Sequence, residues 1–122
     1  MYELGVRAIL KDKRGRVLLV KNVRGVHAGK WVLPGGKVEK GEYAEDGIKR
    51  EVLEELNLVF NPKFIAYHQD IQSDPNKKFL TLFFMGKFIG IIKRIKKELT
   101  DYKFFTSGEI EKITILVTDT KR

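Results

Sequence analysis

The sequence predicts a single α+β domain in which a mixed sheet lies between two helices. Its 122 residues match the usual size of one domain. Hydrophobic residues make up 43% of the chain, a fraction that favours a folded core over a disordered segment. The spacing of the apolar residues changes along the chain from every second position to every fourth and back. This change indicates strands, a helix and further strands.

The amino-terminal third predicts three strands joined by polar segments. Residues 2–10 alternate between apolar and other side chains, as in a half-buried strand. A polar turn at residues 11–16 separates them from a second strand at residues 17–20, and we expect these two strands to form a hairpin. A polar loop at residues 22–30 then leads to a short strand at residues 31–33, which the following Pro-Gly-Gly segment should end.

The best-defined helix is predicted at residues 43–57. Apolar side chains recur there at every fourth position, namely at Ala44, Ile48, Val52 and Leu56. They form one stripe along the helix, which can pack on a sheet. Asn57 readily adopts the left-handed backbone that ends a helix, and Pro62 prevents the helix from continuing.

The second half of the chain predicts strands followed by another helix. Strands are expected at residues 59–68 and 79–89, on either side of a strong turn signal at residues 73–76. A further strand is expected at residues 102–105. The second helix, at residues 107–117, begins at a serine, which is a preferred N-cap residue.

Composition excludes several classes of protein. Without cysteine the chain has no disulfide, thiolate zinc site or cysteine nucleophile, and its two histidines lie too far apart to suggest an imidazole metal site. The longest apolar run, at residues 79–92, is interrupted and too short to cross a bilayer. The amino terminus lacks the pattern of a secretion signal, so we expect a cytoplasmic protein. Basic residues outnumber acidic ones by 24 to 16, which favours an anionic partner.

Three carboxylates are concentrated in the predicted helix, at Glu51, Glu54 and Glu55. At 100° per residue they project from one edge of the helix, where like charges at these spacings repel. Arg50 alone does not offset that repulsion. A hard divalent cation, Mg²⁺ or Mn²⁺, would offset it because such ions take oxygen ligands. For the glutamates taken by themselves, an ordinary solvated acidic face is the alternative.

Residues 36–58 resemble the Nudix box. That pattern is Gly, five residues, Glu, seven residues, Arg-Glu and a bulky aliphatic residue, one residue, Glu-Glu, one residue, then Gly and an aliphatic residue. Its fixed positions fall here on Gly36, Glu42, Arg50, Glu51, Val52, Glu54, Glu55, Asn57 and Leu58. Only Asn57 departs from the pattern, and asparagine is the next-best residue for the backbone that glycine adopts at a helix end. The preceding residues 31–36 also resemble the segment that leads into the box in many members.

The resemblance implies a fold and a role for each box residue. The fold would be a Nudix-like α/β/α sandwich with a mixed, largely antiparallel sheet. The divalent-metal ligands would be Glu51, Glu54 and Glu55, completed by a backbone carbonyl at Gly35 or Gly36. Glu54 or Glu51 would also act on the attacking water. Arg50 would orient neighbouring carboxylates, and Glu42 would pair with Arg50 rather than bind metal.

The resemblance also implies an activity, which is metal-dependent hydrolysis of a phosphoanhydride bond in a nucleoside diphosphate linked to another group. The short chain and residues 30–36 resemble MutT-type nucleoside triphosphate pyrophosphatases. An ADP-ribose pyrophosphatase is the alternative, because some of those enzymes carry a turn similar to residues 73–76. A non-catalytic nucleotide- or RNA-binding domain is the alternative from another class, and the intact glutamates argue against it.

Residues outside the box provide further candidates. Four basic groups are candidates for binding substrate phosphates, with surface solvation as the alternative: Arg7, Arg24, His27 and Lys30. Five carboxylates are candidates for an additional base or ligand: Glu39, Glu98, Asp101, Glu109 and Glu111. The charge of Glu109 also suits the start of the second helix.

Aromatic residues and a basic segment each allow two interpretations. Trp31, Tyr67 and Phe83 either stack on a base or pack in the core, and we expect core packing. The basic run at residues 93–97 attracts phosphates, but its interleaved isoleucines favour a basic edge beside a packed strand. We therefore do not expect a nucleic-acid partner. The apolar segment at residues 79–92 is a candidate contact for a homodimer.

Overall fold

The structure is a computed structural model that describes residues 2–22, 29–70, 76–93 and 99–112. Its strands are β1 (Tyr2–Ile9), β2 (Val17–Asn22), β3 (Trp31–Val32), β4 (Gly35–Lys37), β5 (Val59–Asp70), β6 (Lys78–Ile89) and β7 (Leu99–Phe105). The helix α1 (Ala44–Leu56) lies between β4 and β5 in the chain. Residues 107–112 are also helical, while the rest of the predicted second helix falls outside the described residues. The predicted α+β class is confirmed.

The strands form two sheets. The larger sheet has the order β4-β1-β6-β5, with β1 and β6 parallel and the other pairs antiparallel. The smaller sheet has the order β3-β2-β7 and is antiparallel throughout. The sheet structure is therefore mixed and largely antiparallel, as predicted. Because β6 lies between β1 and β5, both of its backbone edges are paired, and a homodimer contact at residues 79–92 would depend on side chains alone.

The predicted hairpin of the first two strands is wrong. β1 and β2 meet only at the mouth of their turn, where Lys11 bridges to Val17 and the Leu18 N–H donates to the Leu10 carbonyl over 3.0 Å. Beyond that point the two strands enter different sheets. The reason lies in their partners, since β1 is flanked by β4 and β6 whereas β2 is flanked by β3 and β7.

The glycine segment at the start of the box also differs from the prediction. Instead of only ending a strand, Gly35–Lys37 form β4, which pairs with β1 in the larger sheet. The Ala8 N–H donates to the Pro34 carbonyl over 2.8 Å. Pro34 therefore lies where the chain leaves the smaller sheet and enters the larger one. This crossing brings β4 beside α1 and positions the site described below.

One core holds the two sheets and α1 together. Its buried residues are Val6, Ala8, Leu10, Leu18, Val20, Ile48, Val52, Leu56, Leu58, Phe60 and Phe84. The alternation of β1 and the four-residue stripe of α1 therefore predicted the buried faces correctly, with Ala44 half-buried at the first turn. Among the described residues, no helix is long and apolar enough to cross a membrane.

The two ends of α1 differ in how their backbone groups are satisfied. At the carboxyl end Asn57 has φ 61° and ψ 33°, and its N–H donates to the Leu53 carbonyl over 3.0 Å. This is the left-handed cap predicted from the sequence. At the amino end the N-cap residue is Tyr43, whose side chain makes no capping hydrogen bond and is 81% exposed.

Candidate metal and catalytic site

The site lies where β4 passes beside α1. In β4, Gly36 pairs with Val6 of β1. A β-carbon on Gly36 would collide with the carboxylate of Glu51, whose Cδ would lie 2.6 Å away. Only a residue without a side chain therefore allows Glu51 to approach the strand so closely. The box glycine has a steric role here that a turn alone would not require.

Arg50 joins the box glutamates into one network. Its Nη1 donates to Glu51 Oε1 over 2.8 Å and to Glu54 Oε1 over 2.9 Å. Its Nε and Nη2 donate to the two oxygens of Glu42 over 2.8 Å and 3.1 Å. Glu39 lies 3.6 Å from Nη1. The planar guanidinium allows one residue to hold several carboxylates in a fixed relative geometry.

The hydrogen bonds of this network favour the charged forms of Arg50 and Glu42. Hydrogen bonding to Glu42 raises the pKa of Arg50 above its ordinary value, and the carboxylates of Glu51 and Glu54 add to that effect. The hydrogen bonds from Arg50 lower the pKa of Glu42, and the Glu39 N–H contributes in the same direction. Arg50 also donates from Nη2 to the Lys37 carbonyl over 3.1 Å, which connects α1 to the end of β4.

The three candidate metal ligands differ in depth. Glu51 and Glu55 are both only 5% exposed, whereas the Glu54 side chain is 42% exposed. Carboxylates are seldom buried unless they are paired, since removing the charge from water is costly. Two buried glutamates one helical turn apart therefore need positive charge nearby, from the protein or from a bound cation.

Arg7 supplies part of that positive charge. It lies on β1 opposite Gly35, is half-buried, and donates from Nη1 to the Leu33 carbonyl over 2.9 Å. Burial lowers its pKa, while the negative charges of Glu55 and Glu51 oppose the lowering. The sequence alone indicates a phosphate-binding or solvated residue. The sequence does not show that Arg7 pairs with Gly35, because this register follows from strand pairing and not from local spacing.

The donor set is of the kind that a hard divalent cation prefers. The carboxylates of Glu51, Glu54 and Glu55 share one edge of α1, and the Glu51 carboxylate occupies the space that a β-carbon on Gly36 would need. Oxygen donors of this type select Mg²⁺ or Mn²⁺ over softer metals. Within the described ranges no group of three acidic or histidine side chains is already arranged to hold a metal ion. Arg50 bonds to oxygens of both Glu51 and Glu54 in this arrangement.

The candidate carboxylates outside the box lie in different surroundings. Glu109 Oε1 accepts from the Thr106 N–H over 2.9 Å, and the Glu109 N–H donates to the Thr106 hydroxyl, which together form a capping box. These bonds lower the pKa of Glu109. Thr106, and not Ser107, is therefore the N-cap. Asp101 Oδ1 accepts from the Tyr102 N–H over 2.8 Å, and Glu111 is exposed.

Several candidates fall outside the residues that the structure describes. Arg24, His27 and Glu98 lie outside the described residues, as do residues 73–75 of the predicted turn and residues 94–97 of the basic run. Lys30 is described and is exposed beside β3.

The aromatic candidates divide into packed and exposed residues. The Trp31 ring meets the Phe105 ring edge-on at 5.0 Å between centroids, and Lys21 Nζ lies 4.7 Å from the Trp31 centroid. Phe83 is half-buried beside Arg7 in the larger sheet. Both side chains are half-buried, and neither belongs to the buried core. Tyr67 is 63% exposed, so the expectation of core packing is wrong there.

Comparison with known proteins identifies a family. The family model of the NUDIX domain matches residues 1–121. An ADP-ribose pyrophosphatase of Methanocaldococcus jannaschii is 27% identical over 103 residues, which is 84% of this chain and 61% of that protein. An oxidized purine nucleoside triphosphate hydrolase of Mus musculus is 58% identical over 43 residues, which is 35% of this chain and 28% of that protein. The chain thus spans about three fifths or less of the length of these relatives.

Solved structures confirm the predicted sandwich fold. A MutT NUDIX hydrolase from Burkholderia pseudomallei has a TM-score of 0.79 at 23% identity, covering 93% of this chain and 97% of its own. The NUDIX domain of Shewanella oneidensis NrtR, complexed with ADP ribose, has a TM-score of 0.78 at 20% identity, covering 93% and 78%. At these identities the likeness concerns the fold.

Proposed function

Since this chain belongs to the Nudix family, we propose that it hydrolyses a phosphoanhydride bond in a nucleoside diphosphate linked to another group, with Mg²⁺ or Mn²⁺ as cofactor. One observation carries this proposal, namely the network in which Arg50 holds Glu42, Glu51 and Glu54 together. The close approach of Glu51 to Gly36 places that network directly against β4. A solvated acidic face would require neither feature.

The carboxylates of Glu51, Glu54 and Glu55 would hold the cation, together with the backbone carbonyl of Gly36. When bound, the cation withdraws charge from phosphate oxygens and lowers the pKa of water. Glu54 is the best placed to accept the proton of the attacking water, because it is the exposed member of the three. Arg50 orients Glu51 and Glu54, and Glu42 fixes Arg50 by two hydrogen bonds.

For the substrate, we propose a nucleoside triphosphate, cleaved in the manner of MutT-type pyrophosphatases. Residues 30–36, which resemble the corresponding segment of that class, favour it. The mouse relative carries a name of the same class, although its match extends over about a third of the chain. ADP-ribose is the second candidate, because the archaeal relative named for it matches 84% of the chain and the S. oneidensis domain is complexed with it.

The test is hydrolysis of a panel by the purified protein with Mg²⁺. The panel contains nucleoside and deoxynucleoside triphosphates, ADP-ribose and dinucleoside polyphosphates. A triphosphate should give a nucleoside monophosphate and pyrophosphate, whereas ADP-ribose would give AMP and ribose 5-phosphate. Glu54→Gln should lose at least about 100-fold in kcat. Glu45→Gln is the matched control, because Glu45 is an exposed carboxylate in the first turn of the same helix.

Three outcomes separate the candidate functions. Cleavage of triphosphates with loss in Glu54→Gln alone supports the first proposal, and cleavage of ADP-ribose only would replace its substrate. Nucleotide binding without hydrolysis anywhere in the panel would refute the enzymatic activity and favour a non-catalytic binding domain.

A further inference from the structure

Arg7 connects two parts of the candidate site that come from different segments of the chain. Its Nη1 donates to the carbonyl of Leu33, two residues before β4 begins. Its charge acts on Glu55 and Glu51 of α1. The guanidinium therefore bonds to the backbone that enters the site, and the strand partner of Arg7, Gly35, precedes Gly36, against which Glu51 packs.

Arg7 packs closely against the backbone of β4 at Gly35. Arg7 pairs with Gly35, and a β-carbon on Gly35 would lie 2.9 Å from both Cα and Cδ of Arg7 and would collide with the Val6 carbonyl. Gly35 thus allows β4 to lie close to the β1 backbone at Val6 and to Arg7, while Gly36 allows the approach of Glu51.

Among the described residues, Arg50 and Arg7 both bring positive charge to the site. The side-chain hydrogen bonds of Arg50 run to Glu42, Glu51 and Glu54. Arg7 is attracted electrostatically to Glu55 and Glu51. Glu55 is as deeply buried as Glu51, so the ionised form of either carboxylate requires positive charge nearby.

We propose that Arg7 is a positioning residue of the metal site, which holds the buried carboxylates of Glu55 and Glu51 and the Leu33 backbone in the arrangement that receives the cation. The inference rests on the proposed function, because it concerns the same metal ligands. It differs from the expectation that Arg7 binds substrate phosphates. Residues that orient metal ligands without touching the metal commonly change metal affinity by about 10- to 100-fold when they are replaced.

The experiment measures Mn²⁺ binding to the protein without substrate, with free Mn²⁺ followed by electron paramagnetic resonance. Arg7→Gln removes the charge and leaves an amide on a shorter side chain, and it should weaken the Kd for Mn²⁺ at least about tenfold. Arg7→Lys keeps the charge and should stay within about threefold of the wild type. Arg14→Gln is the matched control, because Arg14 is exposed in the β1–β2 turn, and its Kd should not change.

Kinetics on a hydrolysed nucleotide separate this role from substrate binding. For Arg7→Gln we expect a higher Mg²⁺ concentration at half-maximal rate and an unchanged KM for the nucleotide at saturating Mg²⁺. An unchanged Kd for Mn²⁺ together with a raised KM would show that Arg7 binds substrate, and would overturn the inference. An unchanged Kd with only a lowered thermal midpoint would show a structural role and would also overturn it.

The remaining outcomes are also decisive. If Arg7→Gln does not fold, Arg7→Lys carries the test, and a tenfold weaker Kd in that variant would refute the charge argument. A wild-type protein that binds no Mn²⁺ would overturn both this inference and the proposed function. A wild-type protein that binds Mn²⁺ but hydrolyses nothing in the panel would overturn only the proposed activity.

Discussion

Replacing Gly36 by alanine tests the steric relation between β4 and the carboxylate of Glu51. The new β-carbon would lie 2.6 Å from Glu51 Cδ, while ordinary van der Waals contact begins at 3.4 Å. The carboxylate must therefore retreat by about 0.8 Å, the difference between these two distances. Glu51 cannot retreat freely, because it is buried and is held by Arg50 over 2.8 Å.

A displacement of this size should affect activity far more than folding. Misplacement of a reacting or positioning group by about 1 Å can cost about 100-fold in rate, and we expect a loss of that order in kcat for Gly36→Ala. The free energy of unfolding should fall by only about 1 kcal/mol, because the clash is with the end of a side chain and not with the backbone. Urea unfolding and steady-state hydrolysis measure the two quantities on the same samples.

Gly108→Ala is the matched control for this experiment. Gly108 lies in the helical segment at residues 107–112, and a β-carbon there would meet no atom of the described residues within 4 Å. Activity should therefore stay near that of the wild type. The reasoning is refuted if Gly36→Ala retains more than about a third of the wild-type kcat, or if Gly108→Ala loses as much as Gly36→Ala.

Three further predictions concern Arg50, Tyr43 and Glu42. Arg50→Lys should lower kcat by about 10- to 100-fold, because an ammonium group cannot bridge Glu42 and the helix glutamates as the guanidinium does, and steady-state rates within twofold of the wild type would contradict this. Tyr43→Ser supplies the missing N-cap acceptor and should stabilise the protein by about 1 kcal/mol, which corresponds to a thermal midpoint raised by about 4 °C, whereas Tyr43→Ala should give no such gain. The pKa of Glu42 lies below its ordinary value of 4.5, so its ionised form contributes stability that is present above that pH and is lost as the pH falls through the lowered pKa. The wild type should therefore be more stable than Glu42→Gln at pH 6, with the gap closing towards pH 3 in urea unfolding, and a gap independent of pH would exclude this contribution.

Local spacing predicted the elements whose stability depends on local features. The four-residue stripe predicted the helix at residues 43–57, and α1 covers Ala44–Leu56. Asn57 was identified as a helix end because few residues tolerate the left-handed backbone, and its φ is 61°. Spacings of three and four residues likewise placed Glu51, Glu54 and Glu55 on one edge of the helix.

Pairing between distant segments was not predictable in this way. The parallel neighbour of β1 is β6, which begins more than 60 residues later, and no local pattern specifies that choice. β4 has only three residues, two of them glycines, so it carries no strand pattern of its own. The position of Arg7 beside the site depends on both pairings, and the sequence therefore could not reveal it. The different depths of Glu51 and Glu54 also follow from tertiary packing.

The position of β4 at the edge of the larger sheet has a consequence for the local stability of the site. The strand has three residues and, within the described part of the chain, pairs on one side only, with β1, whereas α1 packs against the main core. Short edge strands open more readily than helices that belong to the core. Amide hydrogens of β4 should therefore exchange with solvent much faster than those of Val52 and Leu56. The site therefore joins a helix packed on the core, α1, to a short edge strand, β4. Cation binding should slow amide exchange mainly in β4.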